Sequence, residues 1–109
     1  MNRQENEEFT AHLWGAVREA EKLKYVPHRF KAMLDADGGF ETVKRILETG
    51  KPSEGFTRLW ELSRLDLTCE AIIVESRWRP HFDGLLIQRA EKLLRECQYQ
   101  FKPFSGAPD

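Results

Sequence analysis

Cysteine is scarce in this chain: Cys69 and Cys97 are the two it has. Two thiols cannot build a disulfide framework, and their spacing is too wide for a zinc site. Both fall on apolar helical faces, so they read as reduced core residues. Long apolar runs are missing too; none approaches the roughly 18 residues that would cross a bilayer. The opening Asn2-Arg3-Gln4-Glu5-Asn6-Glu7-Glu8 is polar and acidic, unlike a signal or transit peptide, and the expected compartment is the cytoplasm, with no membrane contact. An excess of one charge is also lacking: 17 Lys and Arg stand against 18 Asp and Glu, a net charge of −1. That removes the general electrostatic argument for a nucleic-acid binder, while leaving room for a basic face. HExxH, CxxC, GxSxG and phosphate-loop patterns are absent, and His12, His28 and His81 sit on separate elements. No catalytic residue, metal or cofactor is therefore assigned.

What is present is a foldable composition, 40% hydrophobic and 32% charged, which excludes a disordered chain and suits one core in one domain spanning residues 1–109. The densest apolar stretch runs from Ser53 to Val74. Ser53 reads as an N-cap before Phe56, Leu59, Trp60 and Leu62, which recur at helical spacing. Asp66 reads as a second N-cap, for a helix ending near Glu75. Leu67, Cys69, Ala71, Ile72, Ile73 and Val74 cover nearly every side of that helix, and a helix apolar all round is buried. Ile72-Ile73-Val74 has strand propensity, but no second strand-like run exists to pair with it. Glu70 falls within this apolar surface, four residues after Asp66, and a buried carboxylate needs a partner. Arg64 and Arg58, upstream in sequence, are the candidates. Ser53, Arg58, Arg64, Asp66 and Glu70 are thus expected to form a structural corner.

The rest of the chain is helical by the same tests. Residues 1–7 are expected to fray, and a helix from Glu8 presents Phe9, Leu13, Ala16, Val17, Ala20 and Leu23 as one stripe. Tyr25-Val26-Pro27 makes a corner, Phe30, Met33 and Leu34 face inward, and Asp37-Gly38-Gly39 ends that helix. Phe40–Thr49 follows with Val43, Ile46 and Leu47 inward. After a corner at Ser76–Pro80, Asp83 caps a last helix carrying Leu86, Ile87, Ala90, Leu93, Leu94 and Cys97. The tail, 99–109, is aromatic and proline-containing. The predicted fold is all-α: a single-domain orthogonal bundle of about six short helices around a buried central helix at Asp66–Glu75.

Two surfaces are candidates for binding. Lys24, Tyr25, His28, Arg29 and Lys31 form a basic belt, with Lys22 beside it and Lys44, Arg45 and Lys51 near by; Arg77, Trp78 and Arg79 form an aromatic-basic corner. An exposed apolar patch for a partner is expected at Trp14, Trp78 or the tail aromatics. A helix–turn–helix made of Phe40–Thr49 and Ser53–Leu62 would expose Glu54, Arg58 and Glu61, two acids against one base, which suits an ordinary αα-corner better than a DNA reader. Asp66, Glu70 and His81 make a mixed metal set whose spacing fits no ligand pattern.

The pattern Tyr25-Val26-Pro27, Phe30-x-x-Met33, Gly38-Gly39, Lys44-x-Ile46-Leu47, Ser53-x-Gly55-Phe56-x-x-Leu59 and Arg64-Leu65-Asp66-Leu67-Thr68-x-Glu70-Ala71 resembles a small helical module of uncharacterised bacterial proteins. That module occurs alone or attached to larger proteins, some nuclease-like or defence-related. The resemblance spans Tyr25 to Leu94 and implies no activity; it implies that Arg64, Asp66, Thr68 and Glu70 mark a shared structural corner. The function expected is a non-catalytic interaction module with a protein partner or a second copy of itself, in a DNA-handling or defence assembly. The alternatives are direct nucleic-acid binding through the basic belt, and a small metal-dependent hydrolase or nuclease using Asp66, Glu70 and His81.

Overall fold

Asn2 and Glu5 start the first helix, where fraying was expected. In the computed structural model, which describes residues 1–104, the Asn2 Oδ1 accepts the Glu5 backbone N–H at 2.8 Å, and Glu5 Oε1 accepts the Asn2 N–H at 3.0 Å. This reciprocal cap satisfies two amides that otherwise lack partners, so α1 runs Arg3–Lys22 rather than from Glu8. Then come α2 (His28–Glu48), α3 (Glu54–Glu61), a 3₁₀ turn Leu65–Leu67, α4 (Cys69–Glu75), a 3₁₀ turn Arg79–His81 and α5 (Gly84–Glu96). No strand occurs among the described residues, so the all-α reading stands.

α2 is not one rod. Gly38 sits at φ 79°, ψ 171°, outside helical space and in a region that glycine enters without a Cβ clash. The break would strand the amides that restart the helix. α1 supplies their acceptors: Asn6 Oδ1 takes the Phe40 N–H at 3.0 Å and Thr10 Oγ1 takes the Gly39 N–H at 2.8 Å. Gly39 is also tight. A Cβ there would lie 3.0 Å from atoms of Phe9, Thr10 and Leu13. The Asn6→Ala and Gly39→Ala variants should each lose about 1 kcal/mol in urea unfolding, the first through a lost cap and the second through overpacking.

α1 and α2 pack closely, as do α4 and α5. Phe9, with none of its surface exposed, lies 5.4 Å from the Trp78 ring and 5.7 Å from that of Phe82, centroid to centroid. α4 fills the interior: Cys69, Glu70, Ala71, Ile72, Ile73 and Val74 are all buried. Its start differs from expectation. Thr68, not Asp66, is the cap: its Oγ1 accepts the Ala71 N–H at 3.1 Å and donates to the Leu65 carbonyl at 2.6 Å. Asp66 lies one turn earlier, in the 3₁₀ segment.

The tail folds back on the end of α4. Tyr99 donates its hydroxyl to Glu75 Oε1 at 3.0 Å, and the Phe104 N–H reaches the Val74 carbonyl at 2.9 Å. Burial, then the Glu75 carboxylate, pushes the Tyr99 phenol up to about 12. The remainder of the 99–109 tail, residues 105–109, lies outside the described residues.

Three turns end their helices in left-handed backbone without glycine: Lys24 (φ 68°), Ser63 (φ 59°) and Gln98 (φ 60°). After each, the next residue's amide reaches back to the helix, Tyr25 to Ala20, Arg64 to Leu59 and Tyr99 to Leu94. This is the usual helix-ending hydrogen-bond pattern, held here at a backbone cost of about 1–2 kcal/mol per position that glycine would avoid.

Candidate functional site

The expected structural corner forms only in part. Ser53 caps α3, its Oγ accepting the Phe56 N–H at 3.1 Å. Arg64 holds Asp66 with two hydrogen bonds, of 3.0 and 3.1 Å. Arg58 pairs with Glu61 at 3.2 Å and lies over the Tyr25 ring. Neither arginine reaches Glu70, which corrects the expected ion pair. Both are spent on nearer acids at the surface, while Glu70 is turned inward on α4 and is 1% exposed. Its one side-chain hydrogen bond among the described residues comes from the Cys69 thiol, 3.3 Å from Oε1, and Oε2 has no partner there. Burial pushes the Glu70 carboxyl above its ordinary range and the Cys69 thiol well above its own, so Cys69 is a poor nucleophile. His81 lies elsewhere, 3.1 Å from Glu5. Asp66, Glu70 and His81 are therefore not brought together, and no cluster of three or more metal-binding side chains exists among the described residues.

The aromatic-basic corner is mostly interior. Trp78 is 6% exposed and packs on Phe9, with the His12 ring edge-on at 5.2 Å. Desolvation, then the Arg77 charge, holds the His12 imidazole below its usual value. Arg77 stacks over Trp78 and pairs with Glu8 at 2.7 Å. Arg79 pairs with the largely buried Glu91 at 3.0 Å and bonds the Val74 carbonyl. These side chains tie α1, α4 and α5 together. In the basic belt, Lys31 pairs with Glu21 and Lys22 with Glu19, both at 2.8 Å. Lys24, His28 and Arg29 are exposed and make no ion pair among the described residues.

Two cavities open on other surfaces. The first, about 260 Å³, is lined by Trp60, Leu65, Cys97 and Tyr99, with Ser63, Asp66 and Gln98 at its polar edge. Its feature is Trp60, which is 53% exposed although its spacing with Phe56 and Leu59 suggested an inward side chain. α3 has only eight residues, and Phe56 and Leu59 fill its buried face. Trp14, by contrast, packs partly buried against the core. The second cavity, about 330 Å³, lies between the end of α2, α4 and α5. Glu70 lines it, with Lys51, Arg89 and Lys92 around it. No sequence motif marks this grouping. Arg89 and Lys92 are three apart on α5, a spacing too common to single out.

No family model, curated protein or solved structure matches the chain.

Proposed function

We propose that the protein is a non-catalytic interaction module that docks a protein partner through the Trp60 groove. The observation that carries this reading is the half-exposed tryptophan beside a cavity large enough for one apolar anchor side chain. Ser63 and Gln98, two of the three strained helix ends, flank the same groove, and strained backbone concentrates at binding sites. The scaffold is, on our reading, an orthogonal bundle of six helical segments, α2 counting as two across Gly38. A bacterial cytoplasmic assembly concerned with DNA handling or defence is the setting that the module resemblance suggests.

Trp60→Ala tests it. Replacing an exposed side chain should move stability by no more than about 0.5 kcal/mol. Photo-crosslinking from Gln98 in the native host should trap one partner with Trp60 present and lose at least about tenfold of it in the variant. Light scattering of the purified chain distinguishes a second copy as that partner. Crosslinks unchanged by Trp60→Ala would contradict the proposal. The unpaired Lys24, His28 and Arg29 favour nucleic acid as the second reading. For that, duplex or single-stranded probes must bind with steep salt dependence, and Arg29→Glu must weaken them. A flat titration at low salt is the result expected here.

A further inference from the structure

Trp60 is both a protrusion and the wall of a hollow. It is 53% exposed on α3, and it lines the groove that Leu65 and Tyr99 complete. Val26, Leu85 and Phe104 are the other large apolar residues at the surface, and they line neither of the two cavities. An exposed ring beside an open hollow is the geometry that a two-fold contact requires. Rotating a second copy about an axis next to the ring places each ring in the other copy's hollow.

The hollow suits that ring in size and in chemistry. Its volume, about 260 Å³, falls below the range of about 300–1,000 Å³ usual for small-molecule sites and is right for one aromatic side chain. Leu65 and Tyr99 supply apolar wall, and Asp66 is the one charged residue that lines it. Arg64 gives each Asp66 oxygen one hydrogen bond, at 3.0 and 3.1 Å. A carboxylate accepts about four, so each oxygen keeps room for a further donor. The Asp66 side chain is half-exposed, and an incoming group can reach it. An apolar ring with one N–H donor and no charge fits this surface, and the indole of Trp60 is such a group.

The charge pattern selects a second copy over a charged partner. Arg58 is paired with Glu61 and Arg64 with Asp66, so the charges around the ring and the groove are balanced in place. A patch with an excess of one sign repels its own copy and attracts its opposite; this patch does neither. The whole chain carries a net charge of only −1, which sets no long-range barrier between copies.

We propose that the occupant of the Trp60 groove is a second copy of this chain, held about a two-fold axis beside α3, with each Trp60 ring in the partner's groove and its indole N–H on the partner's Asp66. This names the partner of the interaction module proposed above and rests on that reading.

The test is sedimentation equilibrium of the full chain from low micromolar to millimolar concentration. The mass should climb from one chain to two, with a midpoint in the micromolar range, and stop there, because a two-fold contact closes on itself. Acrylamide quenching of tryptophan fluorescence should fall over the same range. Trp60 is the exposed tryptophan of the three, Trp14 being partly buried and Trp78 buried. Trp60→Ala removes the ring, and Ser63→Arg obstructs the partner's hollow from its exposed edge. Both should leave the circular dichroism intact, and each should raise the dimer Kd by at least about tenfold. A chain still monomeric at millimolar concentration, a mass that grows past two, or a dimer indifferent to both variants would overturn the proposal. The two readings fail separately: Gln98 crosslinks to a different chain that vanish with Trp60→Ala would uphold the groove and overturn this occupant.

Discussion

Phe9→Ala should destabilise the protein by about 3–5 kcal/mol, read as a lower urea midpoint with little change in slope. Phe9 is the point where α1 meets the Trp78 corner: it is fully buried and touches both the Trp78 and Phe82 rings. Removing the ring deletes its transfer free energy and leaves a void that two rigid aromatic neighbours cannot close. A domain of this size has about 5–15 kcal/mol in hand, so the variant should be partly unfolded at modest temperature. Phe40 also packs on Phe82, at 5.1 Å, but is only partly buried, and Phe40→Ala should cost less. A loss under about 1 kcal/mol for Phe9→Ala would mean that α1 is not seated on this corner.

Glu70 has the second large effect, and it is of opposite sign. Glu70→Met should stabilise the protein at pH 7 by about 1–3 kcal/mol, because an unsatisfied buried polar group is replaced by an apolar one of similar length. The effect depends on pH. Burial raises the folded-state pKa of Glu70 above its unfolded value of about 4.3, so the folded state binds more protons between the two. The favourable contribution of Glu70 is then complete below the unfolded value and is lost as pH rises through the folded one. Glu70→Gln cannot titrate. Its stability relative to the wild type should therefore be lowest at acid pH and climb as the solution becomes neutral. The comparison cancels the titrating groups that do not touch Glu70, and the Cys69 thiol, held well above its ordinary value by burial and then by the Glu70 charge, keeps its proton across this range. A constant difference across that range would mean that Glu70 titrates normally in the folded protein.

Much of this architecture is legible in the sequence because its signals are local. Pro27 and Gly38 punctuate helices, Ser53 and Asp83 cap them, and the all-round apolar run of Cys69–Val74 announces a buried helix. Other signals were present and easy to miss. Asn2-x-x-Glu5 has the form of a reciprocal cap, and Thr68 is as good a cap as Asp66. The remainder depends on tertiary geometry. Lys24, Ser63 and Gln98 end helices in a conformation that normally advertises itself with glycine, so those stops carry no residue-level mark. Trp60 fits an inward stripe by spacing and points outward because Phe56 and Leu59 already fill the short face of α3. Arg58 and Arg64 are the expected partners of Glu70, but they pair with Glu61 and Asp66, which lie closer to water, where an arginine loses less hydration. Of the candidate binding residues, Lys24, His28 and Arg29 remain at the surface, while Trp78 and Arg79 are absorbed into the packing.

The claim on which the rest stands is that α4 is the interior rod of the bundle. Native-state hydrogen exchange reads this residue by residue. The Ile72, Ile73 and Val74 amides should be among the slowest in the chain, opening only with global unfolding and matching the free energy from urea. Exchange of those three amides as fast as those of the surface helix α3, through local opening well below that free energy, would contradict it.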